Sequence, residues 1–323
     1  MNVLSPRAET ERRLIAAMRQ QLGTVVCDRL DDQEVIEVML NPDGTLWEDR
    51  LGKGMTPIGT MPTAAAESFI STVASTLRVS MTRESPVLEC ELPIRGARFE
   101  ALLPPVVGAP TFAIRMKAVR VFTLADYVAA GIMTPGRKAA LEDAVSRRRN
   151  ILIAGGTSSG KTTLANAVLA EIARISPDDR IVILEDTVEL QCAAPNVVSL
   201  RTSEHVDMQR LLKATMRLRP DRIVVGEVRG REALAMLKAW NTGHPGGLCT
   251  VHANSAKAAL IRLEQLIAEA TIAPMRAVVA EAINLVVPIS KTAGSRSVGQ
   301  IVRIEGLHGG EFVVSIYVWR RLL

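Results

Sequence analysis

Aromatic side chains are scarce in this chain: Phe, Trp and Tyr together make up 3% of its 323 residues. Proteins that hold single-stranded nucleic acid commonly stack bases on such rings. Few platforms for that exist here, and no recognisable single-strand binding motif accompanies them. Cysteine is also sparse. Cys27, Cys90, Cys192 and Cys249 stand far apart and form no C-x-x-C pair, which argues against a zinc site and against a redox motif. Four free thiols are expected in a reducing cytoplasm. Long apolar runs are missing as well. The longest stretches without charge, Ala101–Ile114 and Ala239–Ala256, contain Pro, Gly and polar residues and are too short or too polar to span a bilayer. Arg7, Glu9, Glu11, Arg12 and Arg13 precede any apolar run, so no secretory signal is expected at the start. Membrane contact, if made, is expected to be peripheral.

What is present is the composition of a globular protein, 48% apolar and 23% charged. A chain of 323 residues exceeds the usual size of a single core, which predicts two domains. The net charge is +5, from 39 basic and 34 acidic residues. That excess favours anionic partners such as a nucleotide, an acidic membrane surface or nucleic acid, and it equally describes a solvated basic surface.

The first third reads as mixed α+β. Val35–Leu40, the turn Asn41-Pro42-Asp43-Gly44 and Thr45–Trp47 predict a hairpin. Thr63–Leu77 predicts a helix with Thr63 as N-cap. Val87–Leu92, Ala97–Leu103 and Thr111–Met116 are short β-like runs. Val119–Pro135 reads as a junction, with Thr123-Leu124-Ala125-Asp126 close to a capping box and Thr134-Pro135-Gly136 ending it. The expected division is an N-terminal domain over 1–118, a linker over 119–136 and a second domain over 137–323. That second domain alternates regularly: helix Arg137–Arg148, strand Asn150–Ala154, helix Lys161–Ile175, strand Arg180–Leu184, helix Asp207–Leu218, strand Arg222–Gly226, helix Arg231–Trp240, strand Leu248–Val251. Near-continuous apolar strands between amphipathic helices predict a buried, parallel-rich sheet. Gly299–Glu305 and Glu311–Trp319 flank His308-Gly309-Gly310 as an expected hairpin.

The chemistry-bearing motif is Gly155-Gly156-Thr157-Ser158-Ser159-Gly160-Lys161-Thr162, set between an apolar strand and an amphipathic helix that continues with Thr163. The G-x-x-x-x-G-K-[ST] spacing lets backbone N–H groups wrap a triphosphate. Lys161 meets the β/γ oxygens, and the Thr162 hydroxyl ligates Mg²⁺. Both ATP and Mg²⁺ are therefore expected. Glu185 and Asp186 end the strand Ile181–Leu184, with Glu189 four residues beyond Glu185. At the carboxyl edge of an open α/β sheet such acids hold metal-bound water or orient the attacking water; as surface acids they cap the next turn. Glu227 ends the strand Arg222–Gly226 and is the candidate general base facing the γ-phosphate, with Glu185 and Glu227 reaching the metal through water. His252 follows the strand that begins at Gly246-Gly247, on the same edge, and reads either as phosphate-sensing or as structural. His205, His244 and His308 lack such context. Arg115 is the arginine best placed to lean over a nucleotide, ahead of Arg95, Arg98, Arg217, Arg219 and Arg229.

Four segments in this order, Gly155–Thr163, Glu185–Glu189, Gly226–Gly230 and Gly246–Asn254, resemble the Walker A, Asp, Walker B and His boxes of the secretion-ATPase superfamily. Within it the chain is similar to the type IV secretion traffic ATPases, and to the TrbB-type ATPases of conjugative DNA transfer through Leu184–Leu190, Leu218–Gly230 and Ala239–His244. The resemblance is strong over the second domain. Over the first it rests on Leu103–Val106 and Phe112–Arg115. It implies an α/β fold, with a RecA-like P-loop ATPase domain preceded by a smaller α+β N-terminal domain and nucleotide bound between them. It also implies a homohexameric ring, peripheral on the cytoplasmic face of a bacterial inner membrane, that works with channel proteins. The site residues so implied are Gly155–Thr162 for Walker A, Glu185 and Glu189 for the Asp box, Glu227 for Walker B, His252 for the His box, and Arg115 from the N-terminal domain. A type II secretion or pilus-retraction ATPase shares these boxes. The four-cysteine zinc element that type II enzymes often carry has no counterpart here. A RecA-like nucleic-acid motor is the more distant alternative.

Overall fold

The computed structural model describes residues 6–50, 53–117, 121–203, 205–292 and 295–317. The chain divides into two compact units, Met1–Val119 and Arg120–Leu323. In the first, the elements run α1 (Pro6–Asp31), β1 (Val35–Leu40), β2 (Thr45–Arg50), β3 (Gly54–Thr60), α2 (Thr63–Thr76), β4 (Val87–Glu91), β5 (Arg98–Leu102) and β6 (Thr111–Arg115). Among the described residues the strands form one antiparallel sheet in the order β3-β2-β1-β6-β5-β4. Met18, Leu22, Val26 and Leu30 recur every fourth residue of α1 and bury against Phe69, Ile70 and Val73 of α2. The helix tolerates a break at Gly23 (φ 74°, ψ 169°) within that stripe. Three of the five phenylalanines of the chain, Phe69, Phe99 and Phe112, meet there, with Phe69 edge-on to both others at centroid distances of 5.4 and 5.7 Å. These three rings serve this core, with Phe69 in the edge-on geometry their quadrupoles favour.

The second unit carries α3 (Leu124–Ala129), α4 (Pro135–Ser146), β7 (Ile151–Gly155), α5 (Lys161–Ile175), β8 (Ile181–Glu185), β9 (Val197–Arg201), α6 (Met208–Thr215), β10 (Arg222–Val225), α7 (Glu232–Asn241), β11 (Leu248–His252), α8 (Ala256–Ala268), α9 (Arg276–Ala282), β12 (Leu285–Thr292), β13 (Ser295–Val298), β14 (Val302–His308) and β15 (Glu311–Ile316). Its sheet runs β15-β14-β12-β7-β11-β10-β8-β9, with β13 folded back on β12. The six strands from β12 to β9 are parallel to one another, and β14 and β15 extend the sheet antiparallel. Alternate residues of the central strands feed opposite faces. Leu152, Ala154, Val182, Leu184, Ile223 and Val225 pack with α6–α9, whereas Ile151, Ile153, Ile181, Ile183, Val224 and Leu248 pack with α3–α5. That two-sided burial is why these strands read as continuous apolar runs.

The amino end of β10 is clamped. Arg222 is 1% exposed. Its Nε donates to Asp179 at 2.6 Å, and its terminal nitrogens donate to the carbonyls of Val145 and Gly246. Burial pulls the pKa of Arg222 down, and Asp179 opposes that shift. A guanidinium so deep is tolerated because its donors find acceptors. One residue on, the carbonyl of Ile223 accepts from the indole Nε1 of buried Trp240 on α7 at 3.1 Å.

Several expectations change. Thr63 is the first helical residue rather than the cap; the cap position is Pro62 (φ −62°, ψ 142°), with no side-chain hydrogen bond. Proline presets a φ that the chain needs on entering a helix. Helix α1 and strand β3 add to the elements expected in the first domain. The expected linker narrows, since α3 and α4 belong to the second unit, where Leu124, Tyr127 and Met133 are buried with Leu141 and Leu164. Thr123 and Asp126 close the capping box reciprocally. The last hairpin begins at Val302 and turns at Gly309-Gly310. Val318 and Trp319 of its expected second strand, Val119 and Arg120 of the linker and Met1–Ser5 lie outside the described residues. Among the described residues no helix is long and apolar enough to cross a membrane.

Candidate active site

Residues 156–160 connect β7 to α5. Ser158 (φ 56°) and Gly160 (φ 98°) adopt left-handed backbone, which turns successive N–H groups towards one concavity. Gly160 caps α5 without any side-chain hydrogen bond, and the amino end of a helix is where N–H groups and the helix dipole favour an anion. Gly155 is required by close approach. A Cβ there would lie 2.3 Å from Ser159 Oγ and 2.7 Å from the carbonyl oxygen of Ile289. Ser159 is 2% exposed, and its Oγ has no hydrogen-bond partner among the described residues.

Three charged or ionisable groups converge on this loop. Lys161 Nζ donates to the Gly156 carbonyl at 3.1 Å and lies 3.2 Å from His252 Nδ1 and 4.0 Å from Glu227 Oε1. His252 is the last residue of β11 and stands in register with Gly155 of β7. Its Nε2 lies 3.0 Å from Glu227 Oε1, a buried carboxylate oxygen without a hydrogen-bond donor among the described residues. The other oxygen, Oε2, accepts from Arg229 Nε and Nη2 at 3.1 and 2.9 Å. Burial holds the His252 pKa below its ordinary 6.5, with Lys161 adding to the shift and Glu227 opposing it. The imidazole is therefore neutral at neutral pH, and one ring nitrogen is left to accept from Lys161.

The acids after β8 divide their work. Glu185 is 4% exposed, and its Oε1 accepts from the backbone N–H groups of Glu189 and Leu190 at 2.9 and 2.8 Å. It shapes the loop that carries Glu189, whose Oε2 accepts from Thr162 Oγ1 at 3.0 Å. The donor set beside the phosphate loop is thus a hydroxyl with the Glu189 and Glu227 carboxylates. These are hard oxygen ligands of the kind magnesium takes, and Oε1 of Glu227 is available to a water. The structure brings together Gly155–Thr163, Glu185, Glu189, Glu227 and His252.

Arg115 belongs to the first unit. It ends β6, opposite Glu37 on β1 and Arg98 on β5. Burial raises the Glu37 pKa, and Arg115 is the leading charge opposing that rise. Arg95 donates to the Leu30 carbonyl, and Arg217 and Arg219 lie between α6 and β10. His244 faces the Ala239 carbonyl, while His205 and His308 are exposed. Asn166 escaped the sequence reading: its Nδ2 donates to the Glu189 carbonyl and its Oδ1 accepts from the Gln191 N–H, pinning the acidic loop to α5. A polar residue in the buried, otherwise apolar stretch Leu164–Leu169 was the available signal. The arginine on Glu227 is Arg229, two residues along the chain.

Comparison with known proteins places this geometry in a family. Residues 62–296 match the family model described as Type II/IV secretion system protein. The chain is 55% identical over 302 residues to the probable conjugal transfer protein TrbB of Sinorhizobium fredii, covering 94% of this chain and 93% of that protein. It is 53% identical over 305 residues to the conjugal transfer protein TrbB of Rhizobium radiobacter, covering 94% of each. The X-ray structure of the ATPase DotB of Legionella pneumophila shares the fold, with a TM-score of 0.63 at 17% identity over 90% of this chain and 80% of that one. The chain belongs to the type II/IV secretion system protein family, as a type IV secretion ATPase of the TrbB type.

Proposed function

We propose that the chain is an ATP-hydrolysing motor for conjugative DNA transfer through a type IV secretion system. In this reading it acts as a homohexameric ring at the cytoplasmic face of the inner membrane, beside channel proteins and an anionic lipid surface. The observation that carries the reading is the convergence of Lys161, His252 and Glu227, within 4.0 Å of one another, on a glycine-rich loop that runs into the amino end of α5. Lys161 and the loop amides bind the β- and γ-phosphates, Glu227 orients and deprotonates the attacking water, and His252 senses the γ-phosphate. Thr162 and Glu189 hold Mg²⁺, with Glu185 behind them. When bound, the metal neutralises charge on the phosphates. Arg115 enters through the family resemblance alone. Hydrolysis is read as moving the two units relative to one another.

The test follows phosphate release from Mg–ATP together with particle mass over a concentration series. Release per chain is expected to rise as copies assemble. A monomer as active as the assembly overturns the ring, and a chain that binds Mg–ATP without releasing phosphate overturns the motor.

The two acids should separate in the same assay. Glu189→Ala is expected to raise the Mg²⁺ concentration for half-maximal activity about tenfold, as loss of groups that orient metal ligands does, with an unchanged unfolding midpoint. Glu185→Ala is expected to cost about 1–3 kcal/mol in denaturant unfolding, because the buried N–H of Leu190 and the partly buried N–H of Glu189 lose their acceptor. Equal behaviour of the two variants contradicts the division of labour.

A further inference from the structure

We propose that Arg296 on β13 is a further nucleotide-binding residue, holding the diphosphate shared by ATP and ADP. This rests on the reading of the phosphate loop as an ATP site. Strand β12 lies beside β7 on the side away from β11, β10 and β8, and β13 folds back on it with Ile289 opposite Val298 and Lys291 opposite Arg296. Side chains in register across an antiparallel pair share a face, and this face looks onto the loop. A Cβ built on Gly160 would lie 3.5 Å from Ile289 Cδ1, 3.3 Å from Arg296 Cδ and 3.4 Å from Arg296 Nε. The arginine stem therefore rests on the residue that precedes Lys161.

One of its donors is unmet. Nε of Arg296 is buried with no hydrogen-bond acceptor among the described residues. The neighbour directly across the strands is another cation, Lys291, and like charges so placed repel. The nearby Tyr127 supplies no anion, because burial drives its hydroxyl well above the ordinary 10, with Arg296 opposing that rise. A guanidinium N–H withheld from water without an acceptor is costly, and a phosphate accepts from the group in a planar fork. Position selects which phosphates. Glu227 and His252, the groups for the γ-phosphate, stand on strand ends on one side of β7, whereas Arg296 stands on the other. That side leaves it the α- and β-phosphates.

Arg296→Ala in the full chain is expected to weaken both ADP and ATP about tenfold in direct titration, the loss of one charge-assisted contact. In turnover, KM rises more than kcat falls. Arg296→Lys restores part of the affinity. The nucleotide-free unfolding midpoint stays level or rises, since a buried donor without an acceptor is removed. Unchanged ADP and ATP affinities overturn the proposal. Weakening of ATP alone also overturns it, by placing the side chain on the γ-phosphate, and so does a loss of affinity that tracks a fallen nucleotide-free midpoint. A parent chain that binds neither nucleotide fails the underlying reading instead.

Discussion

Lys161→Ala is expected to reduce phosphate release from Mg–ATP to background, a fall of about 10³-fold, with helical content and unfolding midpoint close to those of the parent. The magnitude follows from removing a preorganised cation aimed at developing charge. Lys161 is 8% exposed, and its amino group is held by the Gly156 carbonyl and by His252. The ammonium thus stands in place before nucleotide arrives. Folding is spared because the apolar residues of α5, Leu164, Ala165, Val168 and Leu169, supply its packing. The assay is steady-state phosphate release with circular dichroism on the same preparation, and activity within a few-fold of the parent removes Lys161 from the site.

Glu227→Gln should separate binding from turnover. The substitution preserves size and removes the charge, so an attacking water would lose its base and Arg229 loses its carboxylate partner. Loss of a general base lowers rates by about 10²–10⁴-fold, and kcat is expected to fall within that range. ATP titrated into the variant should still bind within several-fold of the parent, since Lys161 and the loop amides are intact. Parental turnover in Glu227→Gln would assign the water to another acid, with Glu189 next in line through its contact with Thr162.

Much of the second unit was legible because its strands are buried on both faces and its loop motif needs a fixed spacing. The acids ending β8 and β10 and the histidine ending β11 could be placed on one edge from strand order alone. Their separate roles could not. Glu185 and Glu189 are the same side chain four residues apart, and only the backbone path after β8 turns one inward to its own loop and the other towards Thr162. In the first unit, β3 shows no inward alternation, since it is an edge strand with mostly exposed residues. The stripe on α1 is one residue wide per turn, between charges, and a glycine interrupts it. Arg296 stands far along the chain from the loop it touches, on a short strand whose one charge is that arginine.

The clamp on β10 carries a mechanical consequence. The strand that delivers Glu227 is gripped at its root by Arg222 and one residue later by the Trp240 indole. It therefore behaves as a fixed post set into the body of the unit. Any stroke driven by nucleotide has to be produced by the segments beyond the post, at 226–230 and 186–190, pivoting against a sheet that stays still.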